Sequence, residues 1–323
     1  MTPPGTAGGD RPLLLSVVVV VVSDTTDARV DVSHLRTSLE ALAQQLDAPP
    51  MEIVVPYLAA VHDLDSLKAS FPGVVFLPVR DVARSTARAG DREHHDELRA
   101  RGLAASRGTI VALLEDHAVA DRRWAAEVVD AHRQDVAAVG GAIENAVDRP
   151  LNWAIYFCDF GRYQNPVPEG DSPFVSDANA SYKRAALETI APVWRGSFCE
   201  PAVNAALIEK GGRLMLSSRM IVYQRRAGMR VWPALRERFV WGRSYGAGRG
   251  AHMTPARRLV YAALTPLLPA VLLARIARTT IQRGRHVGAF LRALPLTGVL
   301  TACWSCGELA GYAAARGRGA RRL

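Results

Sequence analysis

The segment LLLSVVVVVV at residues 13–22 narrows the possible folds more than any other part of the chain. Its valines are β-branched and stiff at χ1, which favours an extended backbone over a helix. No polar residue alternates with them, so both faces of the strand must be covered. That is the pattern of a central strand in a parallel sheet with helices on both sides. The run is too short to cross a bilayer, which takes about 20 residues. Only Arg11 precedes it, Asp10 offsets that charge, and no small-residue cleavage site follows. A strand therefore accounts for it better than a signal sequence does.

The next segments repeat an alternation of strand and helix. Val32, Leu35, Leu39, Leu42 and Leu46 recur at helical spacing. Short strands are expected at 52–55, 74–78, 109–114 and 137–143, and helices at 64–70, 98–106 and 123–132. Residues 81–97 are polar and read as a loop. Its DREHHDE stretch is rich in metal-binding side chains, and charge runs of this kind are usually solvated. A mobile flap over a ligand is the functional alternative. Alternating strands and helices imply right-handed βαβ units, with ligands beyond the carboxyl ends of the strands.

The first place to look for chemistry is therefore Glu115-Asp116-His117, delivered by the apolar strand before it. In an extended segment Glu115 and His117 face one way and Asp116 the other. Carboxylate plus imidazole is a donor set for Mn²⁺ or Mg²⁺. The alternative is that these residues cap the helix near Arg123. Four cysteines are too few for a disulfide scaffold. Cys303 and Cys306 lie in an apolar run without a second pair or a nearby His, which favours packing over metal binding. Neither a P-loop nor a G-x-G-x-x-G motif occurs.

The net charge of +9 hides an asymmetry. Residues 225–323 hold eighteen arginines, no lysine and only Glu237 and Glu308 as acids, a balance of +16 against −7 for residues 1–224. Residues 225–249 interleave arginines with Trp232, Phe239, Trp241 and Tyr245. Two apolar stretches follow, at 259–274 (broken by Pro266 and Pro269) and at 293–315. Arginines flank both, so the positive-inside rule favours a hairpin or a surface dock with both ends cytoplasmic over two separate crossings. A buried helical hairpin is the soluble alternative. Positive charge tied to apolar runs, and not to a recognition helix, argues against nucleic acid as the partner. Trp153, Tyr156, Phe157, Phe160 and Tyr163 fall at helical spacing, as either a buried face or an aromatic wall for an acceptor.

Several of these segments, taken in order, resemble the family 2 glycosyltransferases. Arg99-x-x-x-Leu103 through Arg107-Gly108, the strand, Glu115-Asp116-His117 and Trp124 look like that family's core around its D-x-D turn. Val139-Gly140-Gly141 resembles the end of the next strand. Asp177-Ala-Asn179-Ala-Ser-Tyr182-Lys-Arg184 resembles the G-x-N-x-x-[FY]-[KR]-R stretch, and Phe198-Cys199-Glu200 the segment with the acidic catalytic residue. The resemblance covers about residues 100–225, most closely to a membrane-associated bacterial branch with Glu-Asp-His in place of D-x-D.

It implies an α/β GT-A fold, Rossmann-like with a mostly parallel sheet. It also implies a nucleotide-sugar donor, a divalent metal and inversion at the anomeric carbon. Carried over, Glu115 and His117 hold the metal and Glu200 deprotonates an acceptor hydroxyl. Arg99, Asp116, Asp177 and Asn179 surround donor and acceptor. Arg238 and Arg243 are placed either on the diphosphate or in a basic collar against anionic lipid. Three positions depart from the family pattern: Pro56-Tyr57 replaces the nucleobase-holding Asp, with Asp63 and Asp65 further on. His117 replaces an Asp, and Pro201 replaces the second acid after Glu200.

The expected organisation is a disordered N-terminus (1–12), a GT-A domain (13–224), a basic collar (225–258) and an apolar helical membrane-associated region (259–323). The expected partners are a nucleotide sugar, a glycan or lipid-linked acceptor and membrane lipids. The expected location is the cell membrane, with the catalytic domain on the cytoplasmic face. The rival reading is a catalytically silent relative serving as a membrane scaffold.

Overall fold

The computed structural model describes residues 13–22, 32–59, 61, 64–80 and 93–315. The expected disordered N-terminus and most of the polar 81–97 segment lie outside these. In chain order the first elements are β1 (Leu15–Val20), α1 (Val32–Ala43), β2 (Met51–Leu58), α2 (Asp65–Ser70), β3 (Val74–Val79), α3 (Glu93–Ala105) and β4 (Ile110–Glu115). There follow β5 (Ala118–Ala120), α4 (Trp124–Ala131), β6 (Ala138–Asn145), α5 (Pro150–Asp159), β7 (Gly170–Asp171) and β8 (Asn179–Lys183). Short helices α6 (Arg184–Thr189) and α7 (Ala191–Trp194) lead to α8 (Glu200–Glu209) and β9 (Leu214–Gln224). The chain ends in four helices: α9 (Val231–Ala251), α10 (Pro255–Leu264), α11 (Leu268–Arg283) and α12 (Val287–Ala314).

One mixed sheet runs in the order β3-β2-β1-β4-β8-β6-β9-β5, with β7 beside β9. Every residue of β1 is buried, as its valines demand. β1 pairs in parallel with β2 and β4, and β2 with β3, so the longer ladders are parallel. β8 runs against both β4 and β6. That reversal matters for the site, because it sets the start of β8 beside the end of β4, with Asn179 opposite Leu114.

Two boundaries differ from the sequence reading for physical reasons. Helix α3 begins at Glu93, inside the stretch expected to be loop. Acidic residues in its first turns complement the helix dipole, and Asp96 and Glu97 pair with Arg99 and Arg101 at 3.1 and 3.3 Å. Strand β2 continues through Pro56 to Leu58, because its ladder to β1 ends at Val54 while its pairing with β3 carries on.

The Arg107-Gly108 turn is locked to β1 and β2. Glu52 Oε1 accepts from Ser16 Oγ (2.7 Å) and Arg107 N (2.6 Å), and its Oε2 from Arg107 Nε (3.1 Å). A Cβ at Gly108 would lie 2.6 Å from Ser16 N, so only glycine permits this approach.

The C-terminal helices build a second apolar core. Leu151, Trp153, Tyr156 and Phe157 of α5 pack against Phe290, Ala293 and Leu300 of α12. Trp153, Tyr156 and Phe157 therefore form a buried helix face and no acceptor wall. Helices α9 and α12 touch backbone to backbone. A Cβ at Gly242 would lie 2.2 Å from Trp304 O, one at Gly246 2.3 Å from Glu308 O, and one at Gly311 2.3 Å from Arg243 O. Glu308 is buried there and accepts from Tyr312 Oη (2.7 Å) and Trp304 Nε1 (3.0 Å). Pro255–Arg283 and Val287–Ala314 are each long and apolar enough to cross a membrane.

Two stability predictions follow from these contacts. Burial alone raises the Glu52 carboxyl, but the bonds from Ser16 and Arg107 more than offset it and hold it below the ordinary glutamate value. Such a group stabilises the fold fully above its unfolded-state pKa, and the contribution fades as pH falls through the folded-state value. Glu52→Gln is expected to cost about 1–3 kcal/mol in neutral urea titrations, with the difference from wild type closing as the pH drops through the glutamate range. Gly246→Ala is expected to push α9 off α12 and lower stability by about 1–3 kcal/mol in the same assay.

Candidate active site

At the end of β4 the chain turns, and Glu115, Asp116 and His117 are all buried. The strict alternation expected of an extended segment stops here. Asp116 Oδ1 accepts from Val22 N at 3.2 Å, which ties it to the end of β1. It also faces His117 Nδ1 at 3.2 Å. His117 Nε2 is buried without a hydrogen bond, 3.2 Å from Glu115 Oε2. The helix-cap alternative does not hold, because Asp121 and not Asp116 serves the turn before α4, accepting from Arg123 N at 3.2 Å. Burial alone would lower the His117 pKa, but the carboxylates of Asp116 and Glu115 outweigh it and hold the imidazole above its ordinary value.

Arg99 is 1% exposed and joins this turn to the rest of the site. One guanidinium nitrogen lies 3.1 Å from Asp96 Oδ1, and the other lies 3.0 Å from Asp177 Oδ2 and 3.6 Å from Glu115 Oε1. Its guanidinium is ion-paired with these carboxylates, although Nη2 is buried without a hydrogen bond. Gln224, at the end of β9, donates to Glu115 Oε2 at 3.4 Å. Asp177 N donates to Glu200 Oε2 at 3.2 Å, which places the first residue of α8 beside the same cluster. Pro201 occupies the first turn of α8, where a missing N–H leaves no bond unmade.

Asn179 is fully buried and fully committed. Its Oδ1 accepts from Trp124 Nε1, and its Nδ2 donates to Ala142 O and Met220 O, all at 2.9 Å. A Cβ on Gly141 would lie 2.2 Å from Asn179 Nδ2. The Gly-Gly, Trp and Asn motifs are thus parts of one knot beneath the site, and Asn179 supports the floor without presenting donors to a ligand.

Two other expected binders sit elsewhere. Arg238 is buried on α9, ion-paired with Asp159 and 5.1 Å from the ring centre of Trp241. Arg243 is exposed on α9. The structure joins neither to the Arg99 cluster. Sequence reasoning missed Gln224 and did not place Asp96, Tyr163 or Tyr182 with this cluster. Burial, and then the charge of Glu200, raises the hydroxyl pKa of both tyrosines. Only Asp96 carried a local signal, its i,i+3 spacing to Arg99.

Among the described residues no group of three His, Cys, Asp or Glu side chains converges as a ready metal site. Glu115 and His117 form a pair.

No family model and no curated protein matches the chain. Among solved structures it is similar to the mannosyltransferase PcManGT from Pyrobaculum calidifontis in complex with GDP-Man and Mn²⁺. The identity is 17% over 91% of this chain and 86% of that one, with a TM-score of 0.51. S. aureus TarS 1–349 aligns at 14% identity over 92% and 90% of the two chains, with a TM-score of 0.43, and 0.42 for its complex with UDP. The likeness to PcManGT shows the fold. The chain has the α/β fold of a glycosyltransferase, with a mostly parallel central sheet and two apolar helical stretches at its C-terminal end.

Arg99→Met is expected to leave Asp177 and Glu115 as uncompensated buried charges and to lower stability by about 3–5 kcal/mol in urea denaturation. Arg99→Lys should recover only part of it, because one ammonium cannot span three carboxylates.

Proposed function

We propose that this chain is a membrane-associated glycosyltransferase that moves a sugar from a nucleotide-sugar donor to a hydroxyl. One observation carries the reading. Glu115, His117, Asp177 and Glu200 meet around Arg99 at the carboxyl edge of the sheet, where ligands of open α/β sheets bind.

The donor pair also supports a divalent cation. With Nδ1–H donated to Asp116, a divalent cation would replace the proton that Glu115 otherwise favours on His117 Nε2, 3.2 Å from its Oε2. Glu115 and His117 would hold Mn²⁺ or Mg²⁺, with Asp116 fixing the imidazole orientation. Hard cations of this kind commonly keep few protein ligands and complete their shell with phosphate oxygens and water. When bound, the ion supplies positive charge to a diphosphate leaving group.

Glu200 is the base in this reading. Its carboxylate is held at the N-terminus of α8 and accepts from Asp177 N. It takes the proton from the acceptor hydroxyl as the oxygen attacks the anomeric carbon, and the sugar–phosphate bond breaks on the opposite face. Direct displacement inverts the anomeric centre. Asp177, fixed by Arg99, is the group placed to orient a sugar or acceptor hydroxyl.

The acceptor we favour is lipid-linked, with a polysaccharide end as the alternative. The α11–α12 junction is anchored at Glu144 near the end of β6, through Arg285 (3.0 Å) and His286 (2.8 Å). The neighbouring Asn145 pairs with Gln224, which reaches Glu115. The apolar helices therefore root at the same sheet edge as the cluster. Arginines at both ends of both apolar stretches support a catalytic unit on the cytoplasmic face.

A donor-hydrolysis assay over a panel of nucleotide sugars tests the reading. Turnover of at least one, stimulated by Mn²⁺ or Mg²⁺, is expected, and failure to bind any would sink it. Glu200→Gln should lower kcat about 10²–10⁴-fold with little change in donor KM. An unchanged kcat would remove Glu200 as the base and favour the silent scaffold.

A further inference from the structure

Two helical stretches pass a length-and-composition test for crossing a membrane, but the structure uses them differently. We infer that the chain docks in the plane of an anionic lipid surface through α10 and the first turns of α11, and that α12 is an internal helix that does not cross the bilayer. This deepens the membrane part of the proposed function and is independent of its chemistry.

One face of helix α12 is covered along its length by the rest of the protein. Its first half packs on α5 of the sheet domain, through Phe290, Ala293 and Leu300. Its second half is in backbone contact with α9 at Gly242 and Gly246. Helix α9 exposes Arg236, Arg243 and Arg249. A crossing by α12 would carry those arginines into hydrocarbon, which is expensive for each charge. The end of α11 is also fixed to the sheet domain, with Arg283 donating to Arg162 O at 2.7 Å.

Exposed apolar side chains gather around the α10–α11 joint. Leu259 is 72% exposed, Val260 55%, Leu264 52%, Leu267 61% and Val271 56%. Arg257, Arg275 and Arg278 flank it and are exposed. An apolar strip bordered only by arginines is the composition of an interfacial helix. A second copy of the chain fits poorly, because a two-fold contact would set these arginines against their own counterparts. An anionic headgroup layer complements them, and Leu259, Leu264 and Leu267 enter the acyl boundary beneath it.

The test uses the full chain with vesicles of phosphatidylcholine, alone or mixed with phosphatidylglycerol, and with cell membranes washed in alkaline carbonate. Binding to the mixed vesicles and release by carbonate are expected. Leu259→Asp combined with Leu264→Asp should weaken vesicle binding about a hundredfold. Arg275→Gln combined with Arg278→Gln should weaken it about thirtyfold on anionic vesicles only. All four side chains face solvent, and a circular-dichroism melt confirms that the variants fold. Retention after carbonate would overturn the in-plane reading in favour of a crossing. Equal binding to neutral vesicles would overturn the role of the arginines. A dimer in sedimentation, broken by the leucine variants and indifferent to vesicles, would assign the strip to a second copy. Donor hydrolysis, read in parallel without vesicles, separates failure of this inference from failure of the enzymatic one.

Discussion

Buried carboxylates repel one another and lose hydration, so a site that gathers several needs a fixed counter-charge. In this chain that counter-charge is Arg99. Its guanidinium touches Asp96 on its own helix, Asp177 before β8 and Glu115 at the end of β4. Three parts of the chain, about eighty residues apart at the extremes, are registered on one planar group. The planarity matters, because one nitrogen is fixed toward Asp96 and the other toward both Asp177 and Glu115. Glu200 is placed one step further out, through the backbone of Asp177. The geometry proposed to do chemistry thus depends on a buried arginine that gathers three carboxylates.

A second constraint lies beneath it. The antiparallel entry of β8 brings Asn179 alongside β4, and its side chain then bonds to α4, to β6 and to the chain at Met220. Gly141 has no side chain because Asn179 fills that space. Trp124, Gly141 and Asn179 are far apart in sequence and form one hydrogen-bonded unit. Residues of this kind appear in motifs alongside substrate-binding residues, and their role here is to hold the floor level. Asp177, two residues earlier, is partly exposed and reaches Arg99 instead.

Strands β1 to β4 and β6 were legible from short apolar runs rich in β-branched residues, as in residues 13–22, whereas β5, β7, β8 and β9 were not. The position of the site was legible because Glu-Asp-His follows such a run. What escaped was side-chain commitment. Arg99, Asn179 and Arg238 are polar residues in suggestive places, and each is consumed by partners that only the fold brings near. The start of α3 escaped because a charged stretch reads as loop until its acids are seen to fall in the first turns of a helix. The glycines at 242, 246 and 250 escaped for another reason. Four-residue spacing on an arginine-rich segment was read as a collar, whereas the missing side chains let α9 and α12 approach at their backbones.

The charge split also gains a physical meaning. A balance of −7 followed by +16 suggests two parts with separate surroundings, yet many of the arginines bind back across the boundary. Arg238 pairs with Asp159, Arg285 with Glu144, and Arg292 with Asp148 at 2.9 Å. Each acid belongs to the sheet domain or its flanking helix α5, and each arginine to the helical part. Opposite charges therefore fasten the two parts together. Arg236, Arg243 and Arg249 on α9, and Arg257, Arg275 and Arg278 around the α10–α11 joint, are exposed and outside these ion pairs. Electrostatic excess is thus left where an anionic surface would meet it, and absent where the domain is already complete.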